Sequence, residues 1–200
     1  MHLLLPDRSF RIHSEILDGF TDDEFFEFCQ LNSDIRIERG ADKGITVMPP
    51  VGGESSAASG DAYLQIGNWS RAHSGRPFES SAGFLLPDGS MLSPDVSWVR
   101  HEAWQALTPE ARKKFLPLCP DFIIEVKSPS DRPNVLQAKM EQWISNGVRL
   151  AFMLDPETET AHVYRPGQVR EIVQGFDNEL SGEPVMPGFR LDLRELRAQS

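Results

Sequence analysis

Cysteine is scarce in this chain, and the two cysteines that it has lie far apart. Cys29 and Cys119 are separated by 90 positions (119 − 29). Two isolated thiols give neither a disulfide framework nor a zinc-binding cluster, because both require several cysteines at characteristic spacings. We therefore expect both side chains to act as small buried hydrophobic groups.

Long apolar runs are also absent. A helix that crosses a bilayer needs roughly 20 apolar residues in succession, and no stretch of the 200 residues approaches this length. Residues 1–6 are too short, and lack the basic flank, for a signal peptide. We expect a cytoplasmic protein without membrane contacts. The 40% hydrophobic content is ordinary, and the length predicts one domain with its own core.

Positive charge is in short supply. The chain has 20 Lys and Arg residues against 30 Asp and Glu residues, which gives a formal net charge of −10. Affinity for nucleic acid that is independent of sequence comes mainly from Lys and Arg displacing counterions from phosphates. The charge balance therefore argues against broad nucleic-acid binding, although it is compatible with a local basic cleft.

The most basic short stretch is Arg112-Lys113-Lys114, which lies in a segment predicted to be helical between residues 100 and 120. Such a run is most often a solvated face. Three of the four tryptophans are expected in the core (Trp69, Trp98 and Trp143). Trp104 is the exception, because its position beside the basic run suits stacking on a nucleic-acid base.

Cap and turn signals divide the chain into short elements. Thr21-Asp22-Asp23-Glu24 forms a capping box that starts a helix. The glycines at 52 and 53 lack the Gly-Lys-Ser/Thr ending of a phosphate loop and instead predict a helix over residues 55–73. Asp88-Gly89 predicts a hairpin with a return strand over residues 91–100, and a further helix is predicted over residues 134–146. The other predicted strands cover residues 35–39, 44–48, 78–80, 83–86, 121–127, 149–154, 160–164 and 169–173, and the tail from residue 187 forms a short closing strand or helix.

One predicted strand carries an acid and a lysine two residues apart. Side chains alternate along a strand, so Ile123, Glu125 and Lys127 share one side and the apolar residues between them share the other. An unpaired charge in such a strand costs on the order of several kcal/mol. The two charges therefore either form an ion pair at the strand end or belong to a site, together with Asp95 upstream. Asp95 could alternatively cap the turn after Pro94.

The order of elements (helix, hairpin strands with Pro94-Asp95, strand with Glu125-Val126-Lys127, helix, strand) resembles the PD-(D/E)XK nuclease superfamily. More closely, the chain resembles the Uma2 family of restriction-endonuclease-like proteins over residues 21–193. The stretches that carry the resemblance are Val47-Met48-Pro49-Pro50 with Gly53-Glu54, Gly83-Phe84-Leu85-Leu86-Pro87-Asp88-Gly89, Ser93-Pro94-Asp95-Val96-Ser97-Trp98-Val99, Pro120-Asp121-Phe122-Ile123-Ile124-Glu125-Val126-Lys127-Ser128-Pro129, Lys139 with Trp143 and Gly147, and Tyr164-Arg165-Pro166-Gly167.

The resemblance implies an α/β fold with a restriction-endonuclease-like core, in which helices flank a mixed, mostly antiparallel central sheet. It implies a single domain over residues 1–200. Within that domain we expect an N-terminal helix and hairpin at 20–50, a nuclease core at about 51–175 and a C-terminal tail at 176–200.

For the site, the resemblance implies that Asp95 and Glu125 ligate a divalent cation, with the Val126 carbonyl as a further ligand. Lys127 would orient or activate a water molecule. In metal-dependent phosphodiester hydrolysis, the cation neutralises developing charge and lowers the pKa of a bound water. Oxygen ligands of this kind suit Mg²⁺, with Mn²⁺ as a substitute. A bound cation would also relieve the repulsion between two adjacent carboxylates.

Three further residues are less settled from the sequence. In the superfamily a glutamate from the first core helix often completes the site, and Glu54 matches that position, with Glu38 as the competing candidate. Lys139 falls where related nucleases carry a basic or amide residue that points into the site; a surface lysine is the alternative. His73, His101 and His162 lie too far apart in sequence to suggest metal ligation.

The function implied by the resemblance is a metal-dependent endonuclease that acts on DNA, and homodimers are common in the superfamily. Two alternatives remain open at this stage. The first is a catalytically silent binding or scaffolding module that retains the fold, which the acidic net charge favours. The second is a phosphodiesterase that uses the same site on RNA or a nucleotide.

Overall fold

The computed structural model describes residues 10–12, 14 and 18–197. Its helices are α1 (Asp22–Leu31), α2 (Gly53–Ala72), α3 (His101–Ala106) and α4 (Pro133–Ser145), and single 3-10 turns lie at Ala111–Lys113 and Leu193–Leu196. Its strands are β1 (Phe10–Ile12), β2 (Arg36–Arg39), β3 (Ile45–Met48), β4 (Arg76–Glu79), β5 (Phe84–Leu85), β6 (Met91–Leu92), β7 (Val96–Val99), β8 (Phe122–Val126), β9 (Leu150–Asp155), β10 (Thr160–Tyr164), β11 (Glu171–Gln174), β12 (Glu179–Ser181) and β13 (Arg190–Asp192).

A six-stranded sheet in the order β11-β10-β9-β8-β7-β4 forms the centre of the molecule. Its β8 and β9 are parallel, and its other neighbouring strands are antiparallel. A parallel pair needs a crossover connection, and α4 provides it. A second sheet has the order β1-β3-β2-β6-β5, and β12 pairs with β13. The mixed, mostly antiparallel α/β architecture expected from the sequence is confirmed.

The central sheet separates two apolar layers. On one face, Ala58, Ala62 and Ile66 of α2 pack against Phe122 and Ile124. On the other face, Ile123 packs in a cluster with Leu136, Met140 and Trp143 of α4. The predicted alternation along β8 is therefore correct, and Glu125 and Lys127 belong to the face that α4 covers.

The predicted return strand over residues 91–100 is wrong in one respect. It divides into β6 and β7, which belong to two different sheets. Pro94 lies at the division, and proline interrupts a strand because it has no N–H group to donate to the ladder. The break places Asp95 at the junction of the two sheets.

The segment between residues 100 and 120 is less helical than predicted. It consists of the short α3 and one 3-10 turn, with Pro109 between them. Thr108 acts as a cap, because its Oγ1 accepts a hydrogen bond from the Ala111 N–H at 3.1 Å. Most other predicted bounds agree with the structure to within one or two residues.

The N-terminal capping box is confirmed at Thr21, which caps α1 and exchanges hydrogen bonds with Glu24. Cys29 and Cys119 are free and partly buried. Burial raises the pKa of the Cys29 thiol to about 11 and that of the Cys119 thiol to about 12. The residues considered as a signal segment, 1–6, lie outside the described part of the chain. Across the described ranges, no helix is both long and apolar enough to cross a bilayer.

Candidate active site

Asp95 and Glu125 lie side by side at the ends of adjacent strands. Val96 stands opposite Ile124 in the antiparallel register of β7 and β8, so one step further along this register Asp95 stands opposite Glu125. Directly opposed residues have Cβ atoms about 4.5–5.5 Å apart. The Val126 N–H donates to Asp95 Oδ2 at 2.8 Å, which fixes the aspartate against β8.

Glu125 is deeply buried, with 4% of its surface exposed. Its Oε1 accepts hydrogen bonds from Lys139 Nζ at 2.8 Å and from Trp143 Nε1 at 3.0 Å. Burial raises the pKa of Glu125; Lys139 lowers it again in part, and the charges of Asp95 and Glu38 add to the rise. The carboxyl group is therefore held among other acids, where any nearby cation favours its ionised form.

Lys139 connects two of these acids. Its Nζ lies 2.8 Å from Glu125 Oε1 and 3.0 Å from Glu38 Oε1. Burial lowers the pKa of Lys139, but the two carboxylates outweigh this effect and the net pKa is raised. Lys139 and Trp143 are four residues apart on α4 and so share one helix face. One turn of helix thus provides both donors to Glu125.

Glu38 reaches the same region from the second sheet. It lies on β2, is 6% exposed, and its Oε1 accepts the Ser93 N–H at 2.9 Å. Glu54, the competing candidate, is exposed in the first turn of α2. Its side chain makes no hydrogen bond or ion pair within the described part of the chain, and α2 packs on the opposite face of the sheet from Glu125. The structure thus brings Glu38 to the site; the catalytic role of either acid stays a prediction.

Lys127 lies beside the site and forms ion pairs with acids other than Asp95 and Glu125. Its Nζ is 3.3 Å from Asp155 Oδ2 and 3.4 Å from Glu157 Oε2. Among the ion pairs of the described residues, Glu125 pairs with Lys139 and not with Lys127. The simple strand-end ion pair considered from the sequence is therefore absent from the described residues: Glu125 pairs with Lys139, and Lys127 pairs with Asp155 and Glu157.

Arg36 is a site residue that the sequence reasoning missed. From β2 it donates through one terminal nitrogen to Asp95 Oδ1 at 3.4 Å and through the other to the Ser93 carbonyl at 2.5 Å. Burial lowers the pKa of Arg36, but Asp95, Glu38 and Glu125 outweigh it and the net pKa is raised. The available signal was the spacing of Arg36 and Glu38, which puts both side chains on one face of a strand.

Trp143 was assigned to the core and also has a polar role. It is fully buried, and its indole N–H donates to Glu125. A buried tryptophan N–H usually needs an acceptor. Trp143 lies four residues after Lys139 on an amphipathic helix, and this spacing was the signal that both side chains reach the same acid.

The oxygen atoms that could hold a cation are those of Asp95, Glu125 and the Val126 carbonyl. Across residues 10–12, 14 and 18–197, no group of three or more His, Cys, Asp or Glu side chains is arranged to hold a metal ion. Mg²⁺ commonly uses only one or two carboxylates and completes its coordination with water and substrate phosphates. Two adjacent carboxylates at a strand end therefore fit this ion.

Comparisons with known proteins identify the family and the fold. The family model described as "Uma2: Putative restriction endonuclease" matches residues 22–194. Among solved structures, the chain is similar to a protein from Anabaena variabilis described as "a putative nuclease belonging to DUF820", with a TM-score of 0.71 and 21% identity. The match covers 89% of this chain and 97% of that chain, and at this identity it shows a shared fold. The search of curated proteins found no match.

Proposed function

Because the chain belongs to the Uma2 family of restriction-endonuclease-like proteins, we propose that it is a metal-dependent endonuclease that hydrolyses phosphodiester bonds in DNA. The observation that carries the proposal is the placement of Asp95 opposite Glu125, with the Val126 N–H bound to Asp95. Two acids at adjacent strand ends provide the hard oxygen ligands that a phosphate-activating cation requires.

Asp95, Glu125 and the Val126 carbonyl would hold Mg²⁺, with Mn²⁺ as a substitute. In an extended strand the N–H and C=O groups of one residue point toward the same neighbour. Since the Val126 N–H points at Asp95, its carbonyl faces the same edge. A cation bound there would supply a water of lowered pKa and neutralise the charge that develops on the phosphate.

Lys127 and Lys139 are the two lysines that could position the attacking water or stabilise the phosphate. Lys139 contacts Glu125 directly, whereas Lys127 is held by Asp155 and Glu157. In this proposal Lys139 supplies the positive charge next to the reacting phosphate, and Lys127 keeps a weaker electrostatic role. Glu38, which shares Lys139 with Glu125, is the better placed of the two further acids, Glu38 and Glu54.

The test is cleavage of supercoiled, linear and single-stranded DNA by purified protein with Mg²⁺ or Mn²⁺. Loss of a cation that supplies several kcal/mol of transition-state stabilisation predicts that Glu125→Ala cuts at least about a thousandfold more slowly. We expect Lys139→Ala to lose more activity than Lys127→Ala. Equal cutting by the wild type and Glu125→Ala would indicate a contaminating nuclease and refute the assignment.

A second candidate function is a nuclease-fold binding module without catalysis. The observation that favours it is that Arg36 and Lys139 already balance Asp95 and Glu125 without any metal. A ligand that binds the folded state raises its stability. No cleavage, together with no rise in melting temperature on addition of Mg²⁺ or Mn²⁺, would favour this module. Cleavage of RNA or of a nucleotide but not DNA would change the substrate and leave the site unchanged.

A further inference from the structure

A cavity of about 230 Å³ lies between α1, the segment that joins β4 to β5, and the basic segment after α3. We call it the aromatic-basic cleft and define it by Phe26, Phe78, Trp104, Arg112, Lys114 and Phe115. Pockets for drug-sized molecules start at about 300 Å³. The cleft is smaller, so it suits one flat group such as a single base.

Cations are fixed at this cleft despite the acidic net charge. The guanidinium carbons of Arg112 and Arg76 lie 4.7 and 5.0 Å from the ring centroid of Trp104. Arg112 also donates to the Trp104 carbonyl at 2.9 Å, while its buried Nε has no partner among the described residues. Lys114 pairs with Asp23 at 2.9 Å, but both side chains are exposed and such pairs are weak. Positive charge is therefore available to a ligand.

Two phenylalanines provide apolar ring surface next to these cations. Phe26 and Phe115 are both partly exposed, and their rings meet edge to face with centroids 5.1 Å apart. Gly83 is required for this arrangement, because a Cβ atom there would collide with the Phe115 ring. Exposed aromatic rings beside Arg and Lys are the components of sites that stack unpaired bases.

The cleft adjoins the candidate active site. Phe78 stands opposite Ser97 in the pairing of β4 with β7. Asp95, two residues before Ser97, is therefore the diagonal neighbour of Phe78, and the Cα atoms of such neighbours lie about 7–8 Å apart. Gly83 is next to Phe84, which pairs with Leu92, so the same register sets Gly83 opposite Ser93. A nucleotide next to a phosphate at Asp95 would therefore be within reach of the cleft.

We propose that the aromatic-basic cleft receives an unpaired base of the nucleic-acid strand whose phosphodiester lies at Asp95 and Glu125. The inference rests on the proposed nuclease function. A base inside duplex DNA is stacked and cannot enter such a cleft without being extruded, which costs a few kcal/mol. The substrate class is accordingly single-stranded DNA, or DNA with an unpaired base beside the cleaved bond.

Binding measured in EDTA tests the cleft without cleavage. The probe is a fluorescein-labelled single-stranded DNA of about ten nucleotides, a length within the range that one such site covers. Stacking of one base predicts that Phe26→Leu weakens binding about fivefold or more. Phe28→Leu, on the same helix but outside the cleft, should bind like the wild type. Lys114→Gln should weaken binding, and Lys113→Gln, its exposed neighbour, should have a smaller effect.

An abasic version of the same strand separates base recognition from phosphate contacts. Because the abasic strand has no base to stack on Phe26, it should bind the wild type and Phe26→Leu with equal affinity. If the wild type cleaves single-stranded DNA but Phe26→Leu and Lys114→Gln bind it unchanged, the proposal that the cleft receives a base is refuted and the nuclease function is left intact. Cleft-dependent binding without any cleavage would instead support the cleft and refute the proposed function. A wild type that does not bind the probe would overturn the inference.

Discussion

At the scale of single residues, Lys139 is the side chain on which the charge balance of the site depends. Removing one member of a buried ion pair leaves the other charge without compensation, which costs about 3–5 kcal/mol. We expect Lys139→Met to lower the free energy of unfolding in urea by about 3 kcal/mol, because Glu38 and Glu125 would face each other without their shared cation.

The same substitution should change the response to metal. Lys139 and a divalent cation would act on the same carboxylate, so Mg²⁺ should raise the melting temperature of Lys139→Met more than that of the wild type. Lys113→Met is the matched control, since this exposed lysine should change stability by no more than about 0.5 kcal/mol. If Mg²⁺ raised the melting temperature of the wild type and of Lys139→Met equally, Lys139 and the cation would not act on the same carboxylate.

Strand alternation and the resemblance were enough to select Asp95, Glu125 and Lys127 from the sequence. The resemblance also pointed to Lys139, which reaches Glu125 from a helix. Arg36, which reaches Asp95 from another sheet, was not anticipated. A contact between two sheets depends on how they pack, which no local pattern specifies.

At the scale of elements, Asp88 joins the β5–β6 turn to α4. Its Oδ1 accepts from Ser90, and its Oδ2 accepts from Gln142 Nε2 at 3.0 Å and Asn146 Nδ2 at 2.9 Å. Partial burial opposes ionisation, but these hydrogen bonds outweigh it and lower the pKa of Asp88 to about 2. The ionised carboxylate therefore holds the turn against the helix.

This depressed pKa predicts how the contact depends on pH. A carboxyl group whose pKa is lower in the folded than in the unfolded state stabilises the fold above its unfolded pKa of about 3.9. That contribution is lost as the pH falls toward 2. Asp88→Asn should therefore be less stable than the wild type at pH 7, and the difference should vanish near pH 2. Urea unfolding at a series of pH values measures it.

Asp34→Asn is the control for this series, because Asp34 is exposed and makes no hydrogen bond or ion pair within the described residues. It should follow the wild type at every pH. A constant difference between Asp88→Asn and the wild type down to pH 2 would show that packing, and not ionisation, accounts for the effect.

Elements with strong local signals were predictable from the sequence. The capping box at Thr21 and the Asp88-Gly89 turn both occur where predicted. The division of the predicted 91–100 strand was not foreseen, because Pro94 was interpreted as part of a motif and not as a strand breaker. A proline signals an interruption, but it does not say that the two halves join different sheets.

At the scale of the whole molecule, the net charge of −10 opposes the approach of any nucleic acid. Binding must then depend on a few cations placed together, and the aromatic-basic cleft with Arg76 provides such a group. For a single strand, the logarithm of the binding constant falls linearly with the logarithm of the salt concentration, with a slope of about −0.7 for each phosphate that is neutralised. Two or three contacts predict a slope between about −1.4 and −2.1.

Titration of the labelled single strand over a range of salt concentrations measures this slope. Lys114→Gln removes one cation and should make the slope less steep by about 0.7. Arg190→Gln is the control, because Arg190 is exposed on β13, whose Leu191 packs in the apolar cluster on the α2 side of the central sheet, and its loss should leave the slope unchanged. A slope of about −5 or steeper would mean that many phosphates are neutralised along an extended surface, which would contradict recognition through one local cleft.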